Sequence, residues 1–502
     1  MKTITKIVYA ALALLALDSF ALLQRAQAVL PAPDGDYPGG NTAEGHQALL
    51  SLSGGTYNTA VGFISLASNI AGNFNTGLGA GTLVLNTGNQ NTATGAGALL
   101  RNTTGFRNTA NGAFALFNNL GAADNTATGN AALFANTTGS GNTANGNFAL
   151  INNTTGTNNT AIGNGTLASN NTANENTATG AGALSSNTTA GENTADGVNA
   201  LASNSSSNAL GNTAVGWSAL LRNTDGRFNT ATGDSALVNN TTGIFNTANG
   251  AQALNNNTIG SGNTAVGNGA LAANNGTNNT AVGSGALFSN TTGFGNTALG
   301  ADAGNGVTTA NHVICIGTDG QDVSNSCYIG NIFGKTSFEG VGVFVNSDGK
   351  LGTSLSSRRF KKDIRAMDKA SEAILAFKPV TFHYKTDTKG TAQFGLIAEE
   401  VAEVNPDLIV RDKDGKPYTV RYEQINAMLL NEFLKEHRKV ERQQTTIGQL
   451  KSNAAKQEAT ISELKKDVGV LTAQVKEQAA QIQKVSARLD VNERAPQMVS
   501  NR

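Results

Sequence analysis

The residue types that could do chemistry gather in one short stretch, Leu355-Ser356-Ser357-Arg358-Arg359-Phe360-Lys361-Lys362-Asp363-Ile364-Arg365. Ser356 and Lys361 lie five positions apart. A serine hydroxyl is a poor nucleophile until a base takes its proton, and a desolvated lysine of lowered pKa can be that base. A bare pair at this spacing is weak evidence, because such residues are usually both solvated. Ser357 and Lys362 stand beside them as rivals for the two roles. Two cysteines, Cys315 and Cys327, are twelve apart. In an exported chain they read as a disulfide ahead of a metal site, with two small buried hydrophobes as the equal alternative. The four histidines, His46, His312, His383 and His437, are scattered, so no metal and no cofactor is expected. Glu399, Glu400 and Glu403 could pass for acid/base carboxylates but read as the solvated face of a short helix. Asp412-Lys413-Asp414-Gly415 lacks the following bidentate Glu of a calcium loop and reads as a hairpin turn.

These residues must be positioned by a chain of 502 residues whose formal net charge is zero. The zero is a cancellation. Residues 29–355 carry six Lys/Arg against fourteen Asp/Glu, whereas residues 356–502 carry 26 against 20. Neither part has the basic excess of a nucleic-acid binder, so that partner is set aside. Lys2 and Lys6 precede an apolar run from Ile7 to Leu17, and Ala26-Gln27-Ala28 is a small-x-small site. That pattern predicts a signal peptide over 1–28, a linker over 29–40, and a secreted or cell-surface location. No later stretch reads as a membrane span.

The elements before the junction are repeats. Asn-Thr-Ala-x-Gly begins at Asn41 and occurs sixteen times in all, with Gly77 in place of Ala in one copy, ending at Asn296 and mostly at steps of 17. A fixed period of this kind predicts a β-solenoid over 41–304. A leucine follows each Asn by eight residues, from Leu49 to Leu287, and the sixteenth copy has Gly304 there. Period-2 alternation puts Asn, Ala and Gly on one face and the variable residue on the other. A second strand is expected around each Ala-Leu, with Asn-Thr-Thr-Gly turns such as 102–105 joining the coils. At roughly 4.8 Å per rung the rod would be on the order of 75 Å long. Its Ala/Gly core looks thin, which favours several chains side by side. In style the array resembles the repeated heads of trimeric bacterial surface adhesins, with a longer period than is usual there.

Residues 305–355 read as a β-rich neck, with strands at Val313–Gly317 and Cys327–Gly330 and a hairpin turn at Asn346–Gly349. From Ile447 a regular heptad sets in, with Ile447, Ala454, Ile461, Val468, Val475, Ile482 and Leu489 at a. Leu450, Leu464, Leu471 and Val485 stand at d, broken by Gln457 and Gln478. A coiled coil over 441–490 follows, with a disordered tail over 491–502.

The string Ser-Ser-Arg-Arg-Phe-Lys-Lys-Asp-Ile resembles the opening of the intramolecular-chaperone auto-processing domain of phage tailspikes, tail fibres and endosialidases. Ala373–Val380, the strand Thr381–Tyr384, the glycine-started helix Phe394–Val401 and Tyr418–Tyr422 follow in the expected order. The resemblance covers roughly 350–440 and sets the domain at 356–440. It implies a self-cleaving serine endopeptidase acting once in cis at Leu355–Ser356, with Ser356 as nucleophile and Lys361 as base. It also implies three copies, although β-branched a with Leu at d favours two. The expected fold class is mainly β: a solenoid fibre, a small α+β chaperone domain and a long C-terminal coiled-coil helix, as a homotrimer. The expected function is a secreted, adhesin-like fibre that carries its own trimerising chaperone. The rival is a non-cleaving surface adhesin with a permanent stalk. A glycan hydrolase is the weakest reading, since no acid pair or aromatic groove supports it and Trp217 is the sole tryptophan. A cell-surface or glycan ligand for the fibre is not identified by the sequence.

Overall fold

The computed structural model describes residues 37–492. The expected signal peptide, the linker up to residue 36 and the tail beyond residue 492 lie outside the described residues. The chain divides into two units, one up to Thr336 and one from Ser337.

The first unit is a long parallel β-solenoid. Each Thr-Ala-x triplet is a three-residue strand, from β1 (Thr42–Glu44) through β2 (Thr59–Val61) to β16 (Thr297–Leu299), followed by β17 (Ile314–Ile316) and β18 (Cys327–Ile329). Each strand pairs in parallel with the next in chain order, giving one sheet of 18 strands. The pairing is in register, so Ala110 lies over Ala127 and Ala127 over Ala144. One core of stacked Ala and Leu side chains runs the length of the unit.

Hydrogen-bonded asparagine adds to this core. The repeat Asn is buried in every coil. The side-chain carbonyl of Asn142 accepts from the backbone N–H of Asn159 at 3.0 Å and from its Nδ2 at 3.1 Å. The same Nδ2 donates to Ala173 O at 2.8 Å, so no donor is orphaned. A second buried column runs through the turns: Asn119 Nδ2 donates to Asn102 Oδ1 at 2.7 Å, and Asn136 Nδ2 to Asn119 Oδ1 at 2.9 Å. Buried amides cost little only when paired, and here most copies pair with their own repeat, the side-chain oxygen of Asn69 being buried without a partner. The expected thin core is therefore corrected: a single chain closes its own interior.

The expected strand around each Ala-Leu is also corrected. All fifteen leucines from Leu49 to Leu287 have left-handed backbones, near φ 50°. The chain turns a corner there, yet Leu116 N still donates to Ala132 O one coil on, at 2.9 Å. Coil-to-coil bonding thus survives without a strand, and the turn points each Leu inward. The glycine closing each triplet is held by close approach: a Cβ on Gly62, at φ 129°, would lie 2.6 Å from the carbonyl of Gly79.

The expected neck over 305–355 is divided. β17 and β18 extend the solenoid sheet, with Cys315 standing over Ala298 and Tyr328 over Cys315. The array does not stop at Gly304, because Val307, Val313 and Cys315 continue the buried core. Residues from Ser337 onward belong to the second unit.

That unit begins with the antiparallel hairpin β19 (Val343–Val345) and β20 (Leu351–Thr353). It continues through 3-10 turns at Arg358–Phe360 and Asp368–Ala376, then the pair β21 (Val380–Phe382) and β22 (Gln393–Gly395). Helix α1 (Ala398–Val404) starts after that strand rather than within Phe394–Gly395. The pair β23 (Ile409–Arg411) and β24 (Pro417–Val420) leads into α2 (Tyr422–Asn492), a continuous helix of 71 residues. Its small core holds Val401, Leu408, Ile409, Val420, Ile425 and Met428. Asp412-Lys413-Asp414-Gly415 is the β23–β24 turn, in which Asp412 accepts from Asp414 N and Lys416 N.

Candidate processing site

The junction is built by one tight turn. Ser357, in extended conformation, precedes the 3-10 turn Arg358–Phe360, and Lys361 leaves it extended again. Phe360 N donates to Ser357 O at 3.0 Å and Lys361 N to Arg358 O at 3.1 Å. The turn separates Ser356 from Lys361 in the chain, and both are exposed. Among the described residues no hydrogen bond joins the Ser356 hydroxyl to the Lys361 amine. Leu355 is exposed as well, as is Phe360, whose ring lies under the Arg359 guanidinium at 4.6 Å. Within one chain the candidate pair therefore lacks the desolvation that a lysine base requires.

Beside the junction lies a groove of about 1120 Å³ within the second unit. The β19–β20 hairpin, the β23–β24 pair and the first residues of α2 line it, among them Thr353, Ser354, Tyr418, Arg421 and Glu423. Ser354 brings the chain from this groove to Leu355–Ser356.

Among the described residues a Ser–Lys contact does form elsewhere. The buried Ser371 hydroxyl donates to Glu432 and accepts from Asn431 Nδ2 at 2.7 Å and from Lys435 Nζ at 3.4 Å. Lys435 also donates to Glu432 at 2.7 Å. That hydrogen bond raises the lysine pKa and lowers the glutamate's, so Lys435 is held protonated and is no base. The cluster docks the Asp368–Ala376 turns onto α2. Sequence reasoning missed it because its members are some sixty residues apart.

Of the two readings open for Cys315 and Cys327, the disulfide is not formed and both thiols are free, with Cys315 buried and Cys327 exposed. The pairing of β17 with β18 explains this. Cys327 lies beside Ile314 and Cys315 beside Tyr328, so alternation turns Cys315 into the core and Cys327 out of it. Burial pushes the Cys315 thiol pKa up, with Cys327 and Asp319 adding to the shift. Among the described residues no three His, Cys, Asp or Glu side chains are grouped to hold a metal ion. No helix there is long and apolar enough to cross a membrane.

The last coil carries a residue that sequence reasoning overlooked. In earlier coils three turn N–H groups converge on one carbonyl of the next coil, as Thr137, Thr138 and Gly139 do on Thr154 O. At the end no such carbonyl follows, and the Asp322 carboxylate takes its place. It accepts from the N–H groups of Thr308, Thr309 and Ala310 at 2.9, 2.8 and 2.7 Å, and from both threonine hydroxyls. The Thr308 hydroxyl and these N–H groups hold its pKa far below the usual carboxylate range.

Residues 356–410 match the family described as chaperone of endosialidase. The match begins at Ser356, the residue after the candidate scissile bond, and follows the solenoid. No curated protein and no solved structure matches the chain. The matched segment contains Ser356, Lys361, the β21–β22 pair and α1, and it ends in β23.

Proposed function

We propose that this chain is a secreted fibre, freed of its signal near Ala28, whose C-terminal segment assembles three copies and then cuts itself away. Ser356 is the nucleophile and Lys361 the base, and the bond is Leu355–Ser356. Whether by acyl shift or by direct attack, the sum is one water consumed, a Leu355 carboxylate formed and a Ser356 amine released. The observation that carries this reading is the start of the chaperone match at Ser356, downstream of an in-register solenoid and the β19–β20 hairpin. Register in that solenoid is a real difficulty, because sixteen near-identical coils make slipped pairings cheap. A helix that gathers three chains first removes that freedom, and cleavage afterwards leaves the fibre kinetically trapped. Packing among copies would also bury Lys361, which the single chain leaves in water. Intact mass spectrometry of the purified protein beside Ser356→Ala tests this. The expected result is a wild-type break at Leu355–Ser356 that the variant lacks. An intact wild-type chain in a folded, oligomeric sample would remove the peptidase role.

The exposure of both Ser356 and Lys361 favours a second reading, a fibre that keeps its C-terminal helix as a permanent stalk. On that reading the Ser356→Ala protein and the wild type have the same mass apart from one oxygen atom.

A further inference from the structure

The residue after each repeat Ala points out of the sheet, and its character changes along the fibre. Early coils mix polar and apolar residues there, including Glu44, Asn111 and Asp196. Over the last five strands it is Val266, Val282, Leu299, Ile316 and Ile329 without interruption. The register stacks each of these on the next. In β17 the neighbouring threonine column also turns apolar, at Ile314. All but Val266 are exposed, Leu299 at 51%.

We infer that this face of β14 (Thr264–Val266) to β18 is where copies of the chain meet and set the register of the fibre. The inference rests on the homotrimer reading and names the solenoid surface it uses. The column holds no charge of either sign, so it offers nothing to a charged partner, whereas an apolar face fits another like itself. It lies only 27 residues before Ser356 in the chain, counting from Ile329. Copies gathered through α2 are presented in parallel, and a cyclic contact brings the same patch of each copy to the axis. Size limits what the face can do alone. Five rungs at about 4.8 Å, two columns wide, bury on the order of 250 Å² per copy. A self-standing interface needs about 800 Å² per partner. The contact therefore forms only among chains already tethered, where effective concentration is high. In that setting it pins one coil against its own copy, which the degenerate repeats cannot do.

Cys327 is a built-in reporter, since it lies beside Ile314 on the outward face. The test uses the full chain in the uncut Ser356→Ala background, oxidised with diamide, which takes up the two hydrogens as each disulfide forms. Covalent dimers are expected through Cys327 and absent in Cys327→Ser. In that Cys327→Ser chain, Leu464→Cys reports the helical tether and Thr104→Cys, on a turn, reports random collision. Leu299→Lys with Ile316→Lys should cut the Cys327 cross-link at least tenfold and leave the Leu464→Cys cross-link unchanged. Cross-linking at Leu464→Cys but not at Cys327 overturns the face and leaves the trimer standing. No cross-link at either site overturns both. Equal yields at Cys327 and Thr104→Cys mean collision only and also overturn the face.

Discussion

The two units solve the problem of a buried interior in opposite ways. The solenoid finishes its interior within one chain: Ala, Leu and two columns of Asn are buried coil after coil, each bonded or packed to its own copy. The second unit buries six core residues and then extends α2, whose a and d side chains stay in water. Ile461 is 50% exposed, Leu464 57% and Ile482 65%. A single chain is complete in its first unit and incomplete in its second. The case for several copies therefore rests on the helix seam and not on a weak solenoid core.

The sharpest way to break this comparison is to charge the seam. Leu464→Asp with Leu471→Asp should abolish assembly, read as monomer mass by light scattering, while solenoid amides keep their exchange protection. If protection collapses as well, the solenoid is not self-sufficient. Leu150→Ala should then cost about 2–5 kcal/mol in the solenoid, from lost burial and the cavity left behind. Denaturant unfolding followed on the solenoid signal measures it. Asn142→Ala should cost about 1–3 kcal/mol, because the N–H of Asn159 loses its acceptor inside the core. Asn142→Asp should fare no better, since a buried carboxylate needs more than these donors.

The smallest effect concerns the end of the rod. Asp322 has a carboxyl pKa lowered by folding, so its contribution is complete above the ordinary carboxylate pKa. It is lost as pH falls through the ordinary range toward the depressed value. Relative to the intrinsic rate at each pH, the exchange protection of Thr308, Thr309 and Ala310 should be high at neutral pH and fall under strong acid. Asp322→Ala should lack that protection at both. Equal exchange in the variant and the wild type at neutral pH would show that the carboxylate does not hold the coil end.

Much of this was legible from residue types. The Asn-Thr-Ala-x-Gly period carried the register of the repeat strands, because only an in-register stack puts nearly every Ala over the Ala of the next coil. The Asn-Thr-Thr-Gly turns were visible, but their asparagines read as turn formers, and only the stacked coils show them as a buried column. Gly304 read as an end signal, yet two more strands follow. The shift from leucine to Val307, Val313 and Cys315 keeps the core closed without keeping the motif. At the candidate processing site, sequence supplied Ser356 and Lys361 with no geometry attached, and the single chain leaves both exposed to solvent.

Sequence by itself determined the solenoid, the long heptad helix and the start of the segment that matches the chaperone family. Each rests on local periodicity, which needs no knowledge of distant contacts. Only the tertiary structure decided that the leucines turn left-handed corners, that Cys315 and Cys327 face opposite ways, and that Asp322 stands in for a missing carbonyl. It alone also showed Ser371, Glu432 and Lys435 to be a docking cluster. These depend on which residue lies one coil or sixty residues away, and in a chain of near-identical repeats that is settled by stacking register and packing.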